Sequence, residues 1–366
     1  MPPGTLIFLS ILFLNMTINH QKIHPKFKLN GVCFEKLAFA FKNKNSLIKN
    51  KSLASFLSEW LNDNDQINLK TSGTTGKPKE IKVDKRAMIL SAQNTGRYFN
   101  IMPGDNALLC LPIKYIAGKM MIVRAIVLGL DLHVIKPSAF PINKLSQNFD
   151  FAAMTPFQLE KTINYVHKIK CLIIGGSPVN ENLIEKIVNK TTGVFETYGM
   201  TETVSHIAVK NLSAGEKSFE SLPGITFKEN VGCLEISAPF ISKTPIQTND
   251  NVQLISNTKF NWVGRSGFII NSGGIKFNPE NIEKTLSNYY TQPFIISSIP
   301  DSILGEKIVV VFEKKIPAEP KKFFSQLNKH QRPKEVFFLT KFERTNGKIN
   351  RQSIKSGILN KYTLGK

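Results

Sequence analysis

The sequence predicts an α/β protein. A large layered domain carries much parallel sheet and a small β-rich subdomain, and a smaller α+β domain follows it. Three observations predict this. The chain has 366 residues, 42% of them apolar, which exceeds what one core usually organises and suits one large and one small domain. Between residues 107 and 200 short apolar runs alternate with helical patterns, the signature of repeated strand–helix units. The pattern then changes twice, to short alternating strands over residues 221–264 and to a basic mixture of helix and strand over 265–366.

The elements follow in order. Leu6 to Leu14 is an apolar run broken by Ser10, with no basic residue before it and no small-x-small site after it. It fits a signal peptide poorly and is too short to span a bilayer. Residues 1–15 are therefore read as an extension or start-site artefact, and no membrane insertion is expected. Residues 32–62 read as helical. Ile67–Lys70 is a strand candidate, Ala87–Phe99 a helix, Ala107–Leu111 a strand and Tyr115–Gly129 a helix. Leu132–Ile135 and Phe151–Met154 are strands. Thr155 is an N-cap with Pro156 at the first helical position, which predicts a helix over Pro156–Val166. Leu172–Ile174 is a buried strand, Val179–Val188 a helix and Val194–Thr197 a strand. Cys233–Ser237, Val252–Leu254 and Trp262-Val263 are the short strands of the β-rich part. In the last domain a helix is expected at Pro279–Leu286, strands at Phe294–Ile299 and Ile308–Phe312, and a helix near Lys321–Leu327.

The chain is strongly basic, with 48 Lys and Arg against 27 Asp and Glu, a net charge of +21. Nucleic acid, small anionic ligands and simple compositional drift all accommodate that figure. The basic residues are spread along the chain without a dense arm or a nucleic-acid motif, so no nucleic-acid partner is expected. The four cysteines, Cys33, Cys110, Cys171 and Cys233, lack metal-ligand spacing. They suit reduced thiols in the cytoplasm.

Four segments carry chemistry. In Thr71-Ser72-Gly73-Thr74-Thr75-Gly76-Lys77 four hydroxyls and two glycines precede a lysine. Glycines let the backbone approach a ligand, and successive N–H groups form an anion nest. The spacing differs from a Walker loop, yet the composition points to polyphosphate. In Tyr198-Gly199-Met200-Thr201-Glu202 a strand ends in a glycine turn followed by a hydroxyl and a carboxylate. Glu202 could hold a hard cation such as Mg²⁺ against phosphates. Arg265, in Gly264-Arg265-Ser266-Gly267, is a fork donor for vicinal hydroxyls or phosphate, and its glycines suit a hinge. Gly273-Gly274 follow shortly after. In Arg344-Thr345-Asn346-Gly347-Lys348 the Asn-Gly pair is a hairpin dipeptide that presents Lys348 at a loop tip.

In this order, over roughly residues 65–351, the segments resemble the acyl-adenylate-forming, or AMP-binding, superfamily. The resemblance implies an ATP-dependent ligase that activates a carboxylic acid as its adenylate and passes it to a thiol, with ATP, Mg²⁺ and coenzyme A as cofactors or co-substrates. It implies that Thr71, Ser72, Gly73, Thr74, Thr75, Gly76 and Lys77 bind the outer phosphates. Thr201 then contacts the α-phosphate, and Glu202 is the metal ligand. Gly175, Gly176 and Ser177 line the adenine and acyl pocket, with Tyr198 and Gly199 beside them. Asp250, in Thr248-Asn249-Asp250, takes the ribose hydroxyls together with Arg265. Lys348 bridges the substrate carboxylate and the α-phosphate, with Thr201 and Glu202 as its catalytic companions. Residues 16–264 would form the N-terminal domain, truncated relative to long relatives. Residues 265–366 would form a mobile lid hinged at Gly267, where the family usually has Asp or Lys. Asn249 departs from the family's usual Gly. The segments Phe27–Gly31, Leu111–Met121 and Tyr198–Ala208 look like the compact o-succinylbenzoate–CoA ligase group, especially its Bacteroidetes-like forms. On that likeness Tyr115, Lys119, Thr197, His206 and Gly273 are candidate pocket residues, His206 for a second substrate carboxylate. A homodimer stays open.

Overall fold

The computed structural model describes residues 21–36, 50–70, 80–188, 190–290, 292–345 and 348–364. Its centre is a sheet of eleven strands. In chain order these are β1 (Lys28–Leu29), β2 (Val32–Cys33), and, after the hairpin of β3 (Gln66–Lys70) and β4 (Glu80–Asp84), β5 (Asn106–Leu109), β6 (Asp131–Val134), β7 (Phe149–Met154), β8 (Ile169–Ile174), β9 (Gly193–Gly199), β10 (His206–Asn211) and β11 (Phe219–Ser221). A separate three-stranded sheet of β12 (Thr226–Asn230), β13 (Cys233–Ser237) and β14 (Ile246–Gln247) intervenes. Then β15 (Asp250–Ser256) and β16 (Lys259–Arg265) complete the large sheet.

Strands β1, β6, β5, β7, β8 and β9 run parallel in that spatial order. From β9 onward the pairing through β10, β11, β16 and β15 is antiparallel. The parallel part is buried on both faces, so its strands are nearly continuous apolar runs. Side chains still alternate. Ala107 and Leu109 join one core with Phe151, Ala153 and Ile173, under helices α2 (Lys85–Phe99) and α3 (Ile116–Leu128), which follow α1 (Lys51–Leu61). Leu108 points the other way into a second core with Ala152, Met154 and Leu172, under α4 (Pro156–Thr162) and α5 (Glu181–Ile187). The result is the three-layer α/β arrangement the sequence predicts.

Four local expectations are corrected. The 32–62 stretch is not helical from its start: Val32-Cys33 pairs back on Lys28-Leu29. Asn30 and Gly31 between them have φ of 50° and 78°, the two left-handed residues of a tight hairpin turn that Asn-Gly favours. Within that stretch Phe34, Glu35 and Lys36 are helical, residues 37–49 lie outside the described residues, and α1 is a helix N-capped by Asn50. The helix entered at Thr155 has the expected reciprocal cap with Gln158 but stops at Thr162, and Ile163–Lys168 continue as a 3₁₀ turn. Of the three short strands assigned to the β-rich part, only Cys233–Ser237 lies in the small sheet. The other two extend the large sheet, because β16 pairs with β11 and β15 pairs with β16. Near Lys321–Leu327 there is only a 3₁₀ turn, Phe324–Gln326. Pro317 and Pro320 precede it, and Phe324 and Leu327 must both turn into the core.

The C-terminal part has its own sheet, built from β17 (Ile270–Ser272), β18 (Ile275–Phe277), β19 (Phe294–Asp301), β20 (Gly305–Glu313) and β21 (Glu335–Leu339). Helix α6 (Pro279–Leu286) packs on one face with Ile282 and Leu286. Helix α7 (Arg351–Leu364) covers the other with Ile354 and Ile358. The hairpin β22 (Arg344–Thr345) and β23 (Lys348–Ile349) leads into α7. No helix among the described residues is long and apolar enough to cross a membrane.

Candidate active site

Ligands of open α/β sheets gather outside the carboxyl ends of the parallel strands, and the predicted segments 175–177 and 197–202 lie there. Gly175, Gly176 and Ser177 leave the end of β8. Thr197, Tyr198 and Gly199 end the adjacent β9. Gly175 and Gly199 are required by close packing. A Cβ on Gly175 would lie 2.5 Å from Thr197 Oγ1, and one on Gly199 would lie 2.3 Å from the Ser205 carbonyl oxygen. Thr197 Oγ1 in turn donates to the Ile174 carbonyl at 3.0 Å, so its hydroxyl holds the two strand ends together. The β3–β4 hairpin pairs from Gln66↔Asp84 to Lys70↔Glu80. The loop expected to bind phosphate, Thr71 to Lys79, joins these strands and lies outside the described residues.

Thr201 and Glu202 sit on the reversal between β9 and antiparallel β10. That turn is built by the buried hydroxyl of Thr203. It accepts the Met200 N–H at 2.9 Å and lies 3.0 Å from the Met200 carbonyl and 2.8 Å from that of Ser205. Val204 adopts φ of 65°, an unfavourable conformation for a β-branched residue that the turn imposes. The reversal leaves Glu202 exposed beside Thr201. It is a turn rather than a helix, so Glu202 and His206 do not share a helical face. One exposed carboxylate suits Mg²⁺, which keeps waters and draws its other ligands from substrate phosphates.

The edge strands bring in Asp250 and Arg265, which are direct partners across β15 and β16. Arg265 Nε stands 3.3 Å from Asp250 Oδ1, and the Tyr198 hydroxyl donates to Asp250 Oδ2 at 2.6 Å. The Asp250 N–H donates to Thr248 Oγ1 at 3.0 Å. Burial, then the Asp250 carboxylate, pushes the Tyr198 hydroxyl well above its ordinary pKa. Tyr198 thus stays a donor that fixes Asp250. Asn249 does not use a left-handed conformation. Its carbonyl accepts the Ser266 N–H at 2.8 Å, so the turn does not need a glycine's left-handed backbone there. Gly267 lies in a 3₁₀ turn, Ser266–Phe268, where a Cβ would meet nothing within 4 Å.

Other predicted residues go elsewhere. Lys119 pairs with Glu59 of α1 at 3.0 Å and lies over the Phe56 ring. Gly273 is in the β17–β18 turn with φ of 61°, its N–H donating to the Leu304 carbonyl. Tyr115 is the half-buried N-cap residue of α3. Lys348 enters through its backbone in β23, paired with Thr345.

His206 is buried and leads to a residue that the sequence reading missed. Arg124, inside α3, is 2% exposed. Its guanidinium reaches Ser205 Oγ at 2.5 Å, Thr95 Oγ1 at 3.3 Å and His206 Nδ1 at 3.3 Å. Thr95 Oγ1 also lies 3.4 Å from His206 Nε2. Among the described residues no carboxylate pairs with Arg124. Burial pushes its pKa down to about 9, so it stays charged at neutral pH. Burial, then Arg124, drives His206 well below its usual value, so His206 is neutral. A buried cation without a counter-ion is costly and rare. Ser205, half-buried on the Thr201–Glu202 turn, connects this cation to the site. The signal in the sequence was a lone arginine in the apolar stretch Met120–Leu128.

The chain belongs to the AMP-binding enzyme family, whose model matches residues 44–231. It is an acid–thiol ligase of the AMP-forming, acyl-CoA synthetase type. A 2-succinylbenzoate–CoA ligase of Geobacillus sp. (strain WCH70) is 26% identical over 338 residues, 79% of this chain and 68% of that protein. An acyl-CoA synthetase (AMP-forming)/AMP-acid ligase II-like protein from Dyadobacter fermentans is 34% identical. Its crystal structure matches with a TM-score of 0.57, covering 86% of this chain and 97% of its own. The o-succinylbenzoate coenzyme A synthetase from Bacillus subtilis, in complex with ATP and magnesium ion, shares the fold with a TM-score of 0.70. It is 22% identical, covering 79% of this chain and 69% of its own.

Proposed function

We propose that the protein is an o-succinylbenzoate–CoA ligase, making the acyl-CoA from the acid, ATP and coenzyme A with release of AMP and pyrophosphate. The observation that supports this acid most directly is Arg124. A buried guanidinium without an acidic partner among the described residues, behind the turn that carries Thr201 and Glu202, suits an acid with a second carboxylate. Relatives named as 2-succinylbenzoate–CoA ligases point the same way.

In the first half-reaction the substrate carboxylate attacks the α-phosphorus of ATP and pyrophosphate leaves. The carboxylate is already a nucleophile, so no general base is required. The barrier lies in bringing two anions together and stabilising charge on the α-phosphate. The loop at 71–77 takes the outer phosphates, Thr201 donates to the α-phosphate, and Asp250 and Arg265 hold the ribose. Glu202 would hold Mg²⁺, which neutralises phosphate charge. Lys348 bridges the two reacting anions. In the second half-reaction the domain of residues 265–366 turns about Gly267, withdraws Lys348, and admits the thiol to the adenylate carbonyl.

A panel of acids assayed for pyrophosphate release, with and without coenzyme A, tests the reading. o-Succinylbenzoate should be preferred over benzoate and over aliphatic acids, and coenzyme A should accelerate turnover. Preference for a monocarboxylic acid, or product formation on a carrier protein alone, would replace this substrate with another acyl- or aryl-activating activity. Glu202→Gln should raise the Mg²⁺ concentration needed for half-maximal adenylation severalfold, since Mg²⁺ binds through few carboxylates. An unchanged metal dependence would leave Glu202 a turn residue only.

A further inference from the structure

The hairpin that carries Lys348 is too small to hold its own shape. Its strands pair only Arg344↔Ile349 and Thr345↔Lys348, and an isolated ribbon of this kind is marginal in water. Two arginine–glutamate forks grip its two legs. On the entering leg the Arg344 guanidinium donates to both carboxylate oxygens of Glu313, each at 2.6 Å. Glu313 ends β20, is buried, and also accepts the Phe342 N–H at 2.9 Å. Arg344 holds the Glu313 carboxyl down at a pKa of about 2. On the leaving leg Arg351, the first residue of α7, places its fork on both oxygens of Glu283 in α6, one of these bonds at 2.8 Å. Glu283 Oε1 accepts the Ile296 N–H at 2.6 Å, and Glu280 stands 3.9 Å from Arg351. The Asn350 N–H closes the base by donating to the Glu343 carbonyl at 2.8 Å.

Both forks end on the central strands and the α6 helix of the same domain, so the hairpin is fixed to that domain's body at both ends. Bidentate pairs of this kind add geometric definition as well as energy. We infer that Arg344 and Arg351 are positioning residues for Lys348. They fix the backbone on both sides of Lys348 to the body of that domain. The inference rests on the adenylation role proposed for Lys348. A role confined to domain stability would affect both half-reactions alike. A positioning role affects only the one in which Lys348 takes part.

The test compares Arg344→Met, Arg351→Met and the corresponding lysine variants in the full chain. Acid-dependent exchange of pyrophosphate into ATP reads adenylation, and thioester formation from supplied acyl-adenylate reads the second step and serves as the folding control. The methionine variants should lose about tenfold or more in the kcat of adenylation, because misplacement by an ångström is that costly. Their KM values for ATP and acid, and their thioester step, should stay within about threefold. The lysine variants should recover part of the loss, a point charge replacing a fork. Millimolar guanidinium ion should partly restore Arg344→Ala, whose parent side chain is 31% exposed. Equal loss of both half-reactions, or normal adenylation in the arginine variants while Lys348→Ala is inactive, overturns the positioning role. Normal adenylation by Lys348→Ala itself overturns the reading beneath it.

Discussion

Lys348→Ala should lose adenylation by roughly 10²–10³-fold or more, the usual consequence of removing one preorganised charged donor from a developing anion. The same variant should convert a supplied acyl-adenylate to the thioester at nearly the parental rate. The two halves of this expectation have one cause. Adenylation forces a carboxylate toward a phosphate, and a lysine between them offsets the repulsion. Thiolysis has no such encounter, and the reading withdraws Lys348 before it begins. Pyrophosphate exchange and single-turnover thioester formation measure the halves separately. Equal impairment of both would make Lys348 a structural residue of the β22–β23 hairpin.

The second large effect is expected at Arg124. Arg124→Met preserves much of the volume and removes the charge. For an aromatic acid with a second carboxylate, kcat/KM should fall by about 10²-fold or more, in line with the ~2–5 kcal/mol lost when one partner of a buried hydrogen-bonded charge pair is removed. For benzoate the change should stay within about threefold. Melting temperature should hold or rise, because an uncompensated buried cation is itself destabilising, and this one has hydroxyl and imidazole partners but no acid among the described residues. That combination separates a substrate role from a structural one. A structural arginine would lower stability and penalise both acids alike. Arg124→Lys restores charge without the fork and should fall between the two.

His206 shows how the structure redistributes a role. Sequence reasoning put the second carboxylate on His206. The structure buries His206 against Arg124, and burial together with that neighbour keeps the imidazole neutral. The positive charge of this buried pair therefore belongs to Arg124. Lys119, a second cationic candidate, is engaged by Glu59 on α1.

The sequence by itself determined the α/β class and most helices and strands of the large domain, and it singled out the segments expected to face a nucleotide. These are local properties. Apolar periodicity, the Thr155 cap and the hydroxyl–glycine loop need no distant partner to be read. Asn30-Gly31 is equally legible as a hairpin turn, and the helical pattern behind it competes with that signal along the chain. Only the tertiary structure decided which charges are free to act. It joined Asp250, Arg265 and Tyr198 across strands far apart in sequence, engaged Lys119, and left Arg124 buried without an acid among the described residues. Burial and pairing are set by what other segments bring to a side chain, and those contacts arise only when the sheet closes. An arginine in an apolar helix and a lysine five residues before it look alike along the chain. The nearest carboxylate in space distinguishes them.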